Sequence, residues 1–366
     1  MPTRQLLLVV FLFGHLLSAG AAENRFLYIS TPDGAQEGGR SGNGILIFNM
    51  DDGFRFVRRI QIDHFKEGIR GFTGHAKTHR IYYSTTSRRL GCFDVETDRV
   101  LWEHLYPLGC DRSSVSGDGS KIYVPTGWWY GGTNSGVMVV DSASGTLLKQ
   151  ITAGVHAHNT ITSLDGRYLF LGGETNLFVF DQKDDALART ISGVGEAGVF
   201  PFTVDRQNRL AYICLGKHVG FDVVNLRTGA KLYRVFATEN PIPHRTHGAG
   251  LTPDERELWI SDQDGKRLFI FDATQMPPKQ VGEVPLSAGG HGWVCFSLDG
   301  KYALSHTPDV IDVQTRKVIA TLEDETGKPV SSSKFLEVHL RDGKVVEMGN
   351  EFGLGRRLAK ARSGRF

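Results

Sequence analysis

The stretch SLDGRYLFLGGETNLFVFD, residues 163–181, carries two motifs that recur along the chain. The first motif, Asp165-Gly-Arg-Tyr-Leu-Phe170, is a tight turn followed by a strand rich in aromatic residues. The second, Leu177-Phe-Val-Phe-Asp181, is an apolar strand that ends at an acidic residue. Asp-Gly is a strong hairpin signal because glycine adopts the positive φ that tight turns need. The stretch therefore predicts consecutive antiparallel strands.

The apolar motif occurs seven times at nearly even spacing. Its closing residues are Asn49, Asp94, Asp141, Asp181, Asn225, Asp272 and Asp312. The intervals between them are 45, 47, 40, 44, 47 and 40 residues. The turn motif keeps the same register, with copies at Asp118, Asp165, Asp254 and Asp299 and weaker copies at Thr78 and Gln207. A period in the forties with about four short strands per copy and no helical stretch is typical of a β-propeller, and seven copies predict seven blades.

The two ends of the repeat array predict how the ring closes. Arg25-Phe-Leu-Tyr-Ile29 resembles the second strand of a blade but lacks a first strand before it. Lys334-Phe-Leu-Glu-Val-His339 has the character of a first strand and can supply the missing one. We expect an all-β, seven-bladed propeller of four-stranded blades, closed by its N- and C-terminal strands, over residues 23–350. Two smaller domains are the alternative, and the even spacing disfavours them.

The N-terminal residues 1–22 predict export. Arg4 precedes an apolar run from Leu6 to Leu17, and small residues follow from Ser18 to Ala22, as in a secretory signal peptide. The alternative is a membrane anchor, but the run is shorter than the roughly 20 residues that span a bilayer. We therefore expect a periplasmic or secreted protein whose mature chain does not insert into a membrane. The basic tail at 351–366 is expected to be flexible.

Composition excludes several functional classes. The 366 residues include 42 Lys and Arg against 40 Asp and Glu, so the net charge is close to zero. A nucleic-acid-binding protein usually has a marked excess of basic residues, so the composition argues against a nucleic-acid partner. The 44 glycines fit many tight turns.

Export permits disulfides, yet the four cysteines lie in or beside apolar strands, so free buried thiols are expected, with Cys92–Cys110 as the one pair to check. No Cys-x-x-Cys-His haem motif is present.

Several strings resemble the YVTN-type propeller repeat. They are Ser163-Leu-Asp-Gly-Arg-Tyr-Leu-Phe170, Phe296-Ser-Leu-Asp-Gly-Lys-Tyr302 and Val223-Val-Asn-Leu-Arg-Thr-Gly229. This resemblance implies a relationship to lactonase-like and quinoprotein dehydrogenase-like propellers. The Trp-Asp pair typical of WD40 repeats is absent from the strand ends that close the motif. The resemblance concerns turns and strands, and a propeller fold hosts many functions.

Polar residues at the start of each blade's innermost strand form the candidate site. Asp111, His158 and His247 lie seven residues before the turn aspartate of their blades, and His291 lies eight before Asp299. The fold should bring these positions to the mouth of the central channel. The predicted ligand-binding set there is Asp111, Arg112, His158, Asn159, Arg245, His247 and His291.

Imidazoles that converge beside a carboxylate suggest either a metal site or acid–base chemistry. His158, His247 and His291 are the candidate metal ligands, so a divalent metal ion is a possible cofactor, and no cofactor is otherwise indicated. The alternative is packing between blades, because strict strand alternation would turn His158 and His247 sideways. Independently of that alternative, His156 and His158 form a His-x-His pair that would project to the same side of a strand.

A loop in the third repeat adds aromatic candidates to the same face. Trp128, Trp129 and Tyr130 are flanked by glycines and could stack on a sugar or an aromatic ring. The alternative is that they pack over neighbouring blades.

The leading functional hypothesis is an exported propeller that binds a small ligand or a metal ion at the mouth. A lactonase-like hydrolase or a metal-dependent oxidoreductase using the same mouth is the second hypothesis, and no catalytic residues are assigned. An extracytoplasmic protein-interaction scaffold is the third. The expected partner is thus a small molecule or an extracytoplasmic protein.

Overall fold

A computed structural model describes residues 23–31, 44–62, 68–85, 87–127, 135–199, 201–330 and 334–349. These residues form seven antiparallel sheets, one for each blade of a propeller. Within a blade we call the strands A to D, from the innermost to the outermost. The mouth is the face where the A strands begin, and the base is the face that carries the A–B turns.

The strands are numbered in chain order. Blade 1 contains β1 (Glu23–Ser30), β2 (Ile45–Asn49), β3 (Arg55–Ile60), β28 (Lys334–Arg341) and β29 (Lys344–Met348). Blade 2 contains β4 (Ile69–His75), β5 (Arg80–Thr85), β6 (Arg89–Asp94) and β7 (Arg99–Leu105). Blade 3 contains β8 (Ser114–Val115), β9 (Lys121–Pro125), β10 (Gly136–Asp141) and β11 (Leu147–Thr152). Blade 4 contains β12 (Ala157–Thr162), β13 (Tyr168–Gly173), β14 (Asn176–Asp181) and β15 (Ala186–Ser192).

The remaining three blades follow the same order. Blade 5 contains β16 (Phe202–Val204), β17 (Leu210–Cys214), β18 (Gly220–Asn225) and β19 (Lys231–Phe236). Blade 6 contains β20 (Thr246–Leu251), β21 (Glu257–Asp262), β22 (Arg267–Asp272) and β23 (Lys279–Pro285). Blade 7 contains β24 (Cys295–Phe296), β25 (Tyr302–Leu304), β26 (Asp309–Asp312) and β27 (Lys317–Thr321). The one helical segment of the described residues is a 3-10 turn, Ala76–Thr78.

The structure confirms the predicted seven-bladed propeller. Each of the seven apolar motifs is the C strand of its blade, and each C strand ends at the predicted Asp or Asn. The A–B turn glycines have positive φ, with Gly119 at 81° and Gly166 at 72°. These angles are readily adopted by glycine, which explains why Asp-Gly marks these turns.

Ring closure joins the two ends of the described chain in blade 1. β28 pairs antiparallel with β1, with Phe26 opposite Val338 and Leu27 opposite Glu337. Blade 1 also has a strand that was not predicted, because β29 pairs with the free edge of β28. β1 already occupies the B position, so the chain after β28 turns back at Asp342 and Gly343 and adds to the inner edge instead. Blade 1 is therefore five-stranded.

Apolar side chains pack between neighbouring blades. In β13, Leu169 and Leu171 belong to a buried cluster with residues of blade 3, whereas Phe170 packs with Phe202 and Ile213 of blade 5. Alternate residues of a strand point to opposite faces, so the continuous apolar runs of the B and C strands bury both faces of each sheet. The D strands lie on the outside and are largely exposed, as in β11 and β15.

Three other expectations concern the whole chain. All four cysteines are free and buried, as predicted, and Cys92 and Cys110 do not form a disulfide. None of the described residues belongs to a helix that is long and apolar enough to cross a membrane. The predicted signal peptide and the predicted C-terminal tail lie outside the described residues.

Candidate functional site at the mouth of the channel

The A strands of blades 3 and 4 meet at the mouth. Asp111 and Arg112 lie just before β8, and His158 lies near the start of β12. The pairing of β12 with β13 shifts register between Ala157 and Asn159, so strict alternation is lost where His158 stands. A parallel bridge joins Arg112 to Asn159 and aligns the two strands. Because of this irregularity, the alternation of side chains along a regular strand does not predict the direction in which His158 points.

His158 and Asp111 form a buried pair between these blades. The Nδ1–H of His158 donates to Oδ2 of Asp111 at 2.7 Å. The Nη1 group of Arg112 donates to Nε2 of His158 at 3.1 Å and to Oδ1 of Asp111 at 3.2 Å. Because a guanidinium can only donate, Nε2 must accept and the proton of the neutral imidazole must be on Nδ1. Asp111 and His158 therefore position Arg112.

The pKa values of the pair agree with this assignment. Burial and the charges of Arg112 and Arg70 together lower the pKa of His158 to about 4, against the opposing effect of Asp111. Burial alone would raise the pKa of Asp111, but His158, Arg112 and Arg70 outweigh burial and lower it. The pair thus consists of a carboxylate and a neutral imidazole at neutral pH.

Two cations lie against the indole ring of Trp293. The guanidinium carbon of Arg112 lies 5.0 Å from the centre of the indole ring, and Nζ of Lys334 lies 4.7 Å from it. Trp293 and Lys334 are both buried, and Arg112 is 8% exposed. Cation–π attraction of this kind strengthens when the cation is removed from water. The indole ring therefore helps to hold the guanidinium of Arg112, which Asp111 and His158 also contact, and the ammonium group of Lys334.

Two further imidazoles continue the cluster from blades 6 and 7. The rings of His247 and His291 lie 4.7 Å apart in an edge-to-face arrangement, and His247 also lies 5.9 Å from Trp293. Burial, followed by the charge of Arg112, lowers the pKa of both histidines, and Lys334 lowers both as well. His247 is buried, whereas His291 is exposed at the surface of the mouth. Both are therefore neutral hydrogen-bonding groups at neutral pH.

His306 lies beneath His291 in the B–C connection of blade 7. It is 6% exposed, and its Nδ1 lies 3.1 Å from Oγ of Ser305. A Cβ on Gly292 would overlap with the side chain of His306, so a residue without a side chain is required at this contact. Burial, with a smaller contribution from His291, lowers the pKa of His306 to about 4 despite the raising effects of the Ala288 carbonyl and Asp309.

Cations outnumber carboxylates around the site. Arg70 lowers the pKa of both Asp111 and His158, and Arg245 lowers the pKa of His291. With Arg112 and Lys334 they make four cationic side chains. The carboxylates that act on the histidines of the cluster are Asp111 and Asp309, which are buried, and Asp264, which is exposed. The mouth is therefore electropositive, and neutral imidazoles lie among its cations.

The predicted site residues divide into three groups. The contacts above join Asp111, Arg112, His158, His247 and His291 into one cluster, and Arg245 and Asn159 adjoin it. Trp128, Trp129 and Tyr130 lie outside the described residues. Gly127, which precedes them, stands beside the site, since a Cβ there would lie 3.5 Å from Oδ2 of Asp111. His156 has a φ of 53° and precedes β12, so it does not share a strand face with His158 as expected.

Sequence reasoning missed four residues of the cluster: Arg70, Trp293, His306 and Lys334. A signal existed for two of them. Lys334 lies eight residues before Asp342 and Arg70 lies eight before Thr78, which is the same offset that separates His291 from Asp299. Trp293 and His306 carried no comparable signal, because an aromatic residue and a histidine in apolar surroundings usually indicate core packing.

The predicted metal ligands of the mouth are not gathered into a compact set. Among the residues that the structure describes, three potential ligand atoms from His, Cys, Asp or Glu come within 4.8 Å of one another only at Glu23, His339 and Glu347. That group lies in blade 1, on strands β1, β28 and β29. Metal binding by His158, His247 and His291 stays a prediction.

Comparison with known proteins supports the fold and no narrower assignment. No protein-family model and no curated protein sequence matches the chain. A chain of the Kuenenia stuttgartiensis hydrazine synthase structure is 17% identical, with a TM-score of 0.56, and the match covers 70% of this chain and 81% of that one. A chain of a mitotic checkpoint complex structure is 12% identical, with a TM-score of 0.60 and coverage of 71% and 77%. At such identities the similarity shows a shared fold, and this protein is a seven-bladed β-propeller.

Proposed function

We propose that the mouth binds a small anionic ligand, with Arg112 as the principal contact. The observation that carries this proposal is the support of one guanidinium by Asp111, His158 and the ring of Trp293. A side chain that is already held in place loses little conformational freedom on binding. A guanidinium presents several N–H groups in one plane, which suits the oxygens of a carboxylate, phosphate or sulfate.

The charge of the surroundings supports an anion. Arg70, Arg245 and Lys334 act on the same histidines as Arg112, while the carboxylate of Asp111 is already engaged by His158 and Arg112. Cations crowded in a concave site of low dielectric create a positive potential that attracts anions. An anionic ligand would relieve the mutual repulsion of these groups.

Neutral imidazoles would contribute selectivity. His247 and His291 have lowered pKa values, so each offers one N–H donor and one acceptor nitrogen at neutral pH. A ligand that combines an anionic group with hydroxyl groups, such as a sugar acid or a hydroxy acid, would match charged and neutral partners together. A hydroxy acid and a sugar acid should therefore be among the first anions that are tested for binding.

Two finer predictions accompany this proposal. We propose an extracytoplasmic member of the YVTN-type, lactonase-like propeller group, on the basis of the repeat strings and the N-terminal sequence. We also propose that Trp128, Trp129 and Tyr130 stack on the ligand, because Gly127 begins their loop next to Asp111.

Three other functions are alternatives to anion binding. They are a hydrolase or oxidoreductase, a metal-binding site at the mouth, and a protein-interaction scaffold. The lone pair of His158 Nε2 accepts a hydrogen bond from Arg112, so His158 cannot act as a general base while that contact persists. This contact favours binding over catalysis at His158.

The proposal is tested by calorimetric titration of the untagged protein with phosphate, sulfate, citrate and gluconate. We expect at least one anion to bind with 1:1 stoichiometry, and its affinity to fall as the ionic strength rises, because salt screens the cations. Arg112→Gln should weaken binding by about tenfold to a hundredfold, as expected for a charge-assisted contact. Arg267→Gln is the matched control, since Arg267 is exposed on β22 and pairs with Glu283.

The outcomes separate the hypotheses. Equal affinity in wild type and Arg112→Gln would show that the anion does not bind at the mouth. Metal analysis of the untagged protein addresses the metal alternative, because a metal lost in a His247→Gln, His291→Gln double variant would favour a metal site at the mouth. A panel of lactones with and without a chelator tests the hydrolase.

A further inference from the structure

The three strands that close the ring bring an imidazole and two carboxylates together near the base. Nδ1 of His339 on β28 lies 2.6 Å from Oε1 of Glu23 on β1 and 3.7 Å from Oε2 of Glu347 on β29. The ligand atoms of these residues all lie within 4.8 Å of one another. Glu23 and His339 are 316 residues apart in the sequence, so only ring closure makes this group.

A fourth residue fixes the orientation of the imidazole. The Nε2–H group of His339 donates a hydrogen bond to Oε1 of Glu337 at 2.6 Å. Glu337 is 5% exposed and is itself held by Arg25 at 2.8 Å and by the backbone N–H of Leu298 at 2.6 Å. Nδ1 is thereby directed toward Glu23 and Glu347. Metal-binding histidines commonly have this arrangement, in which the second nitrogen donates to a buried carboxylate.

We propose that Nδ1 of His339 and the carboxylates of Glu23 and Glu347 bind a zinc-like divalent cation that ties β1, β28 and β29 together. This site is distinct from the anion site at the mouth. The imidazole ligand favours zinc or a similar transition metal over Mg²⁺ and Ca²⁺, which prefer oxygen ligands throughout.

The geometry needs only small adjustments to accept the ion. Tetrahedral zinc with bonds of about 2.0–2.1 Å places its ligand atoms roughly 3.3 Å apart. Nδ1–H of His339 donates to Glu23 across the 2.6 Å contact, so binding of the ion releases this proton to solvent and opens the contact. The 3.7 Å separation between His339 and Glu347 would close. Arg341 pairs with the other oxygen of Glu23 at 2.7 Å, so Oε1 of Glu23 can turn to the ion. A water molecule would complete the coordination.

This cation site and the mouth can be tested independently. Lys334 and His339 stand on the same strand, five residues apart, and a strand rises by about 3.3 Å per residue. The two sites are thus separated by roughly 17 Å along β28. A negative result for the cation site would therefore not contradict anion binding at the mouth, and the reverse also holds.

The experiment uses untagged protein that has been treated with EDTA and dialysed. We expect calorimetric titration with ZnCl₂ to show one site per chain, and the melting temperature to rise with zinc concentration, because an ion that binds only the folded state stabilises it. MgCl₂ and CaCl₂ at the same concentrations should not shift the melting temperature. The absence of a stoichiometric zinc site in the wild type would overturn the proposal.

Two variants locate the ion. Glu347→Gln and Glu23→Gln should each weaken zinc binding at least tenfold and reduce the shift of the melting temperature at a given zinc concentration. The side chain of Glu347 is 28% exposed, so glutamine can be accommodated there without unfolding the strand. Glu283→Gln, on the exposed outer strand β23, should bind zinc as the wild type does. Unchanged zinc binding in both Glu347→Gln and Glu23→Gln would show that zinc binds elsewhere.

Discussion

Nδ1 of His158 lies 2.7 Å from Oδ2 of Asp111, although the two residues are 47 positions apart and belong to adjacent blades. Both side chains are buried, and the pair is shielded from water at the wall of the mouth. Its function in the structure is to hold Arg112, which contacts both partners.

Replacement of Asp111 by asparagine should destabilise the fold by about 3–5 kcal/mol, since loss of one partner leaves buried cationic groups uncompensated. Denaturant titration measures this loss. Added sulfate should restore more stability in Asp111→Asn than in the wild type, because the anion would replace the missing charge. Asp52→Asn, at an exposed turn, should have little effect. Equal stability of Asp111→Asn and wild type would contradict the structural importance of the pair.

Replacement of Lys334 by methionine keeps most of the side-chain volume and removes a charge. Lys334 lowers the pKa of both His247 and His291, so both pKa values should rise in Lys334→Met. Titration of the imidazole protons by NMR measures this change. Anion affinity should fall about tenfold, which corresponds to about 1.4 kcal/mol. Lys301→Met, exposed at the base, should change neither quantity. Unaltered histidine pKa values would place Lys334 outside electrostatic reach.

Acidification should destabilise the protein through His306. Its pKa in the folded protein is about 4, whereas the ordinary value is 6.5, because it is buried beside His291 and despite the raising effects of Asp309 and the carbonyl of Ala288. Between these pH values the unfolded chain binds the proton and the folded protein does not, so stability falls as the pH decreases from 6.5 to 4. The loss is on the order of 3 kcal/mol.

The measurement is the free energy of unfolding at several pH values for wild type and His306→Gln. The variant should lose less stability over this interval than the wild type. His104→Gln is the control, because His104 is exposed and stacks on Trp102 at 5.5 Å. Identical pH dependence in wild type and His306→Gln would disprove the assignment.

Replacement of Gly292 by alanine should disturb the floor of the mouth. The added Cβ would overlap with Cβ of His306 and come within 2.8 Å of its Cα, and neither contact can be relieved by a rotamer change. Overpacking of this kind costs about 2–3 kcal/mol. Thermal denaturation and anion titration should both show a loss. Gly349→Ala, where the nearest atom is 3.6 Å away, should remain close to wild type. A fully stable Gly292→Ala variant would mean that the backbone yields easily there.

The sequence by itself determined the seven blades, the ends of the C strands and the closure of the ring. These features depend on local signals, since turn glycines such as Gly119 and Gly166 and apolar runs such as Leu177-Phe-Val-Phe-Asp181 define their own hairpins. The same register placed Asp111, Arg112, His158 and His247 at the mouth, because equivalent positions of repeated blades meet at the same end of the channel.

Only the tertiary structure decided which of these side chains touch and what else joins them. The register shift at His158 breaks the regular alternation of side chains along β12, so the direction of His158 does not follow from its position in the strand. The ring of Trp293 contacts both Arg112 and Lys334, which lies 222 positions further along the chain on the ring-closing strand. His339 gains a second carboxylate neighbour, Glu347, only because β29, which was not predicted, pairs with β28. The physical reason is that local patterns specify strands and turns, whereas a site between blades depends on packing and charge contributed by segments far apart in the chain.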